Sequence, residues 1–265
     1  MKILFRLLIL SLSFLFIVCK TDNSKNPVSA DTSKTKGIVP DEIITDGNIT
    51  VSNYLKDYRL KIISIPDTVY YLYVPLNANT VKVTGEEGNW RYLINSSFFS
   101  GPRNNAKHAG WLRINGKTYE QILVDRQLTH VVSINKSFDR INFCDYKEFV
   151  SDIDNNYLEF QTGPLVIENN KLAEDYINSS INGLRTAPRT LLASLDNRQM
   201  FFVICESYTD LIRLGNYLLK LSVFMGKKLD VVNLDGGPST ALYCRHYSRI
   251  NYNTDAALPF LLGVH

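Results

Sequence analysis

The chain has 265 residues and a mass of 30.2 kDa, room for one or two domains. Hydrophobic residues make up 45% and charged residues 21%, which supplies a packed core and excludes a mainly disordered, collagen-like or coiled-coil chain. The net charge of +3 is small and dispersed, which argues against a nucleic-acid partner. Aromatic residues at 11%, with 15 Tyr and 13 Phe, lean toward strands.

The N-terminus reads as an address. Lys2 and Arg6 flank an apolar start, and Leu7 to Val18 is apolar apart from Ser11 and Ser13. A charged start followed by so short an apolar run is the pattern of a secretory signal; a membrane span needs about 20 residues. Phe16-Ile17-Val18-Cys19 resembles a bacterial lipobox, in which the cysteine becomes the lipidated N-terminus; an uncleaved anchor or an ordinary signal is the alternative. The expectation is a signal over 1–18, a lipidated Cys19 with a flexible tether over 19–48, and a folded domain over 49–265. The tether is rich in Ser, Thr, Asp, Asn and Lys and has too little apolar surface to offset its chain entropy. This layout places the protein in a bacterial cell envelope, periplasmic or surface-exposed, held to the membrane through the lipid alone. Losing residues 1–18 removes Lys2 and Arg6 and leaves a net charge of about +1, so the folded part carries no electrostatic signal for a membrane. Beyond Cys19, the cysteines are Cys144, Cys205 and Cys244, with no CxxC spacing; one disulfide plus one thiol, or three buried thiols, both fit.

From residue 49 the texture changes. Tyr58–Ile65 and Thr68–Val74 read as two strands around Pro66-Asp67. Thr80–Thr84 alternates with period two and reads as a strand ending at Gly85. Further strands are expected over Tyr92–Phe99, over Gly110–Ile114 with a hairpin at Asn115-Gly116, and over His130–Ile134, Arg140–Phe143 and Phe160–Ile167. Thr190–Leu195 and Gln199–Cys205 flank a turn at Asp196-Asn197-Arg198. One long helix is expected over 210–225, with Leu211, Leu214, Leu218, Leu221 and Met225 on one face, Thr209 as its N-cap and Gly226 as its terminator. Strands at Asp230–Asp235, Ala241–Cys244 and Pro259–Val264 complete a single α/β (α+β) domain with a mixed, largely antiparallel sheet.

The densest chemistry lies in Asn233-Leu234-Asp235-Gly236-Gly237-Pro238-Ser239-Thr240. A buried strand delivers an amide and a carboxylate into a turn. Two glycines let exposed N–H groups approach an anion closely, and two hydroxyls follow. On spacing alone the segment is also an ordinary turn between strands.

This segment resembles the Asn-Leu-Asp-Gly-Gly-Gly-Ser-Ser motif of the phosphodiester glycosidase family, whose best-known member removes N-acetylglucosamine from a phosphodiester on lysosomal glycans. Four upstream segments follow in the family's order. Ile94-Asn95-Ser96-Ser97-Phe98-Phe99 resembles its Asn-Gly-Gly-Phe-Phe, Gly163-Pro164-Leu165 its Gly-Pro-Leu, and Pro188-Arg189-Thr190 its Pro-Arg-Thr, while Cys205-Glu206-Ser207 stands where it has Val-Asp-Gly. The match spans about 90–264. Ser96, Ser97, Ser207 and Pro238 stand where the family has glycines, so backbone shape near the site is expected to differ.

The resemblance implies hydrolysis of a sugar–phosphate bond in a phosphorylated glycan or sugar-phosphate polymer. Glycosidases commonly use two carboxylates, for which Asp235 and Glu206 are the candidates. Arg189 is the candidate phosphate clamp, with Arg185 behind it. Thr190, Ser239, Thr240 and the Gly236 and Gly237 amides are candidate phosphate donors, and Asn95 and Asn233 candidate sugar ligands. Each also has a structural reading: a turn cap for Asp235, a solvated strand end for Glu206, a salt bridge for Arg189, loop satisfaction for the asparagines. No cofactor is expected. His108, His130, His246 and His265 show no metal-binding spacing, and a divalent ion beside Asp235 is left open. Two rivals stand: a non-catalytic glycan-binding surface lipoprotein, and a serine hydrolase using Ser239 with Asp255 and His265, which would need a helix after the serine.

Overall fold

The computed structural model describes residues 37–65, 68–74, 79–101 and 105–265. The signal, Cys19 and most of the tether lie outside the described residues.

The main sheet has eight strands in the order Glu42–Asp46, Ile49–Tyr54, Leu60–Ile65, Gln199–Thr209, Ala187–Leu195, Leu229–Asn233, Leu165–Glu168 and Lys171–Leu172, each antiparallel to its neighbour. Its central strands read as continuous apolar runs because both faces are covered. Leu192, Phe202, Ile204 and Val232 point into a core shared with the other sheets. Leu191, Ala193, Phe201, Val203 and Val231 point the other way, against Leu211, Leu214 and Leu218 of a helix. A second sheet runs Ile141–Asp145, His130–Asn135, Asn156–Thr162, Leu112–Ile114, Lys117–Glu120, and a third runs Leu242–Cys244, Tyr92–Asn95, Phe260–Val264, Val69–Tyr73. The expected hairpin at Asn115-Gly116 is present between Leu112–Ile114 and Lys117–Glu120, and that at Asp196-Asn197-Arg198 joins Ala187–Leu195 to Gln199–Thr209.

Several expectations are corrected. The fold begins before residue 49: Glu42–Asp46 pairs with Ile49–Tyr54 around Gly47-Asn48, Ile44 is buried, and Ile38 bridges to Leu221. The polar composition there hides a hairpin whose Glu42 and Asp46 pair with Arg249 and with Arg91 and His246. Thr80–Thr84 is not a strand. Thr80 accepts a hydrogen bond from the Val83 N–H (3.3 Å) and caps a helix over Val81–Glu87, and Val81 and Gly85, one helical turn apart, are its buried face. The Leu60–Ile65 and Val69–Tyr73 strands enter different sheets. Phe160–Ile167 is two strands, divided at Gly163-Pro164 where the chain crosses from the second sheet to the main one.

The long helix is shorter than its apolar stripe. It covers Leu211–Leu218, capped by Asp210 rather than Thr209, with a further short helix at Glu174–Ser179. Leu221 turns extended to bridge Ile38, a 3-10 turn follows at Ser222–Phe224, and Met225 is 45% exposed instead of completing the face. Cys144, Cys205 and Cys244 are free thiols; burial pushes that of Cys205 up to about 12, far from a reactive thiolate.

Candidate active site

The Leu229–Asn233 strand of the main sheet ends one residue before Leu234-Asp235. The chain then turns through Gly236 and Gly237 into a 3-10 helix over Gly237–Ser239. Gly237 has φ +61°, the left-handed region that side chains resist. A Cβ on Gly236 would lie 3.1 Å from the Pro188 carbonyl oxygen, so the turn presses against the neighbouring strand.

Asn95, at the end of the Tyr92–Asn95 strand, fixes this turn. Its Nδ2 donates to the Asp235 carbonyl (2.6 Å), and its Oδ1 accepts from Thr190 Oγ1 (2.6 Å) and from the Ala241 N–H (3.0 Å). The Asp235 N–H donates to the Ser96 carbonyl (3.1 Å). Asn233 works from below: its Nδ2 donates to the carbonyls of Gly163 (3.0 Å) and Leu234 (2.6 Å). On the outer side Asn253 Nδ2 donates to the carbonyls of Pro238 (2.8 Å) and Thr240 (3.0 Å). Asn95 and Thr190 are therefore internal clamps rather than sugar or phosphate ligands, and Thr240 is fully buried. Asn233 lines the cleft described next, with its Oδ1 buried and lacking a hydrogen-bond partner among the described residues.

The turn opens onto a cleft of about 860 Å³. Asp235, Gly236 and Gly237 are part of its lining, with Arg189 beside them, Arg185 and Asn182 to one side, and Phe98, Tyr208 and Tyr252 as aromatic walls. Among the described residues that line it, Asp235 is the one acidic residue. Burial raises the Asp235 carboxyl to about 6, against hydrogen bonds from the Ser239 hydroxyl and the Gly236 N–H (2.9 Å) that act to lower it. A carboxyl titrating there exchanges protons readily near neutral pH.

Two expected roles change. Glu206 is not beside Asp235. The Ala187–Leu195 strand separates the strands that carry them, and the Glu206 carboxylate is buried in ion pairs with Lys61 and Arg59 (3.2 Å to the latter). Arg189 borders the cleft but is only 3% exposed. Its guanidinium donates to the carbonyls of Asn182 (2.8 Å), Arg185 and Thr209 (3.4 Å), so it holds the 182–185 loop in place. Burial lowers its pKa, partly offset by the nearby Asp210 carboxylate. Arg185, in contrast, is exposed at the cleft and donates to Asn182 Oδ1 (3.2 Å).

The serine-hydrolase arrangement is not assembled. A strand, Leu242–Cys244, follows Ser239 where a helix is required, the Ser239 hydroxyl bonds Asp235, and His265 stacks on Trp90 at 3.8 Å. Among the described residues no group of three His, Cys, Asp or Glu side chains is placed to hold a metal. Sequence patterning does not single out Tyr208, Tyr252 or Asn182; Asn253, at φ +50°, lies in the turn-like segment Asn251-Tyr252-Asn253-Thr254.

The chain belongs to the phosphodiester glycosidase family, whose model matches residues 89–265. Among solved structures it is similar to the zebrafish N-acetylglucosamine-1-phosphodiester alpha-N-acetylglucosaminidase catalytic domain, auto-inhibited by its pro-peptide, at 14% identity and TM-score 0.60, covering 82% of each chain. It is also similar to a Burkholderia pseudomallei protein described as exported, at 8% identity and TM-score 0.53, covering 78% of this chain and 74% of that one. These likenesses are of fold. No curated protein sequence matches the chain.

The position of Arg189 predicts a stability phenotype. Arg189→Lys keeps the charge but cannot reach three carbonyls at once, and should destabilise the fold by about 2 kcal/mol in a urea titration. An unchanged midpoint combined with weakened substrate binding would instead restore its role as a phosphate clamp.

Proposed function

We propose that the protein is an exported hydrolase that cleaves the sugar–phosphate bond of a glycosyl-1-phosphodiester on a glycan or envelope polymer. The observation that carries this reading is the Asp235 carboxylate, the one acidic group lining the cleft among the described residues, held on a hydrogen-bonded turn and raised to about 6. Water attacks the anomeric carbon, the bond from that carbon to the bridging oxygen breaks, and the electron pair leaves with the phosphate as a monoester. That leaving group needs little protonation, so the carboxylate of Asp235 serves as the base that takes the proton from water. Arg185 at the cleft offsets the phosphate charge. The name of the zebrafish relative makes an α-N-acetylglucosaminyl phosphodiester the first substrate to test.

One observation favours a second reading, a glycan-binding lipoprotein without turnover: the second carboxylate that most glycosidases use is not in the cleft, because Glu206 is paired elsewhere. Hydrolysis in ¹⁸O-water separates the two. The enzyme should place the label on the anomeric hydroxyl of the released sugar. Its kcat/KM should fall about tenfold per pH unit below about 6, the limb expected of an ionised base. Binding without release supports the non-catalytic reading, and label in the phosphate would contradict both.

The envelope location rests on the lipobox-like ending at Cys19. Cys19→Ala should move the protein from the membrane to the soluble fraction, and unchanged partitioning would contradict the anchor.

A further inference from the structure

Two loops beside the cleft, over residues 121–128 and 180–186, carry aliphatic side chains that the reaction does not use. Each turns two of them and one arginine to solvent: Leu123, Val124 and Arg126 on the first, Ile181, Leu184 and Arg185 on the second. The four aliphatic residues are exposed by between 44% at Leu123 and 80% at Val124. The loops touch, because Asn182 Nδ2 donates to Gln127 Oε1 (2.8 Å). The one acid in either loop is Asp125, whose Oδ1 is turned back to accept from the Gln127 N–H (2.6 Å).

The backbone of both loops is fixed from below. The buried Gln161 side chain accepts from the Leu123 N–H (2.9 Å) and donates to the carbonyls of Leu123 (2.7 Å) and Leu128 (2.7 Å). The Leu211 N–H, at the start of the helix, donates to the Gly183 carbonyl (3.0 Å). Aliphatic groups scattered singly over a surface are ordinary; four on two joined loops form a patch that the fold holds outward. Tyr208 is exposed in the lining of the same cleft, beyond a bulge in the Gln199–Thr209 strand, where Ala187 lies opposite Thr209 and Arg189 opposite Cys205. Aliphatic tips next to arginines suit the boundary of a bilayer, where the acyl region takes the aliphatic groups and lipid phosphates take the guanidinium; a tyrosine ring suits the same depth. The small net charge of the chain gives no sign of this surface, because the pattern is local. A chain attached to a membrane through Cys19 has the bilayer as its constant neighbour.

We propose that the 121–128 and 180–186 loops dock on a bilayer containing anionic phospholipid. Leu123, Val124, Ile181 and Leu184 enter the headgroup boundary, and Arg126 meets lipid phosphates, leaving Arg185 to the cleft. Docking in this way turns the cleft toward the bilayer, so that the ligand it takes is one presented at the membrane surface. The contact belongs to the loops and holds whether the site hydrolyses its ligand or only binds it. It rests on the lipid-anchor reading, which brings the chain to the bilayer, and the test separates the two.

An environment-sensitive fluorophore is attached to the full chain through a genetically encoded azide at position 124, at position 184 or, as a control, at position 198. Arg198 is exposed in the turn after Leu195, at the other end of the strand that brings Ala187 and Arg189 to the cleft. The chain is reconstituted with vesicles of phosphatidylcholine and phosphatidylglycerol, and flotation reports whether it is attached. Emission at 124 and 184 should brighten at least about twofold and be quenched by spin-labelled lipid, while emission at 198 stays that of a group in water. Labels at 124 and 184 that stay in water on a chain that floats, or quenching at 198 instead, would overturn the docking and leave the anchor intact. A chain that does not float with the vesicles would overturn the anchor and the docking together.

Discussion

The site depends on the side chain of Asn95. Its single amide joins three segments that are far apart in the chain: the Asp235 carbonyl, the Thr190 hydroxyl and the Ala241 N–H. Each is a buried or part-buried hydrogen bond worth about 1 kcal/mol net, and losing the amide would strand partners at a cost of about 1–3 kcal/mol apiece. The consequence is more than stability. Asn95 ends a strand of the third sheet, Thr190 lies in the main sheet, and Asp235 follows another main-sheet strand. Tying them together fixes the Asp-Gly-Gly turn against both sheets, so the direction of the carboxylate is set by the fold.

That rigidity has an electrostatic counterpart. Among the described residues, a hydroxyl and one backbone N–H stabilise the charge of this half-buried carboxyl, which is held nearer neutrality than a solvated aspartate. The two arginines divide the remaining work by burial. Arg189 spends its donors on backbone carbonyls and shapes the 182–185 loop, and that loop presents Arg185 to the cleft. The bulged strand adds Tyr208 to the cleft lining. Acid, cation and aromatic wall thus come from a turn, a loop and a bulge, the three places where a regular sheet leaves backbone and side chains free to point elsewhere.

Much of this was legible in the sequence, for physical reasons that vary by segment. The hairpins at Asn115-Gly116 and Asp196-Asn197-Arg198 announce themselves because their turns need residues that tolerate positive φ, and Asn115, Asp196 and Asn197 all have it. Asp235 stood out because the glycines beside it mark a crowded turn. Local signals failed where tertiary contacts decide. Thr80–Thr84 alternates like a strand, yet a cap and a packed Val81–Gly85 face make it a helix. Glu206 ends an apolar run as a catalytic acid might, yet the bulge turns it to Lys61. Tyr208 left no trace, because the extra residues that expose it appear only when the strand is laid against its partner.

The central claim is that this turn holds a single carboxyl at an unusual pKa inside the cleft. It is tested most directly by ¹³C-NMR titration of the aspartate side-chain carboxyls, with the Asp235 resonance assigned by its disappearance in Asp235→Asn. The account predicts a midpoint of about 6 for that resonance. A midpoint in the ordinary aspartate range near 3.9 would mean that Asp235 is a solvated turn cap and would contradict it.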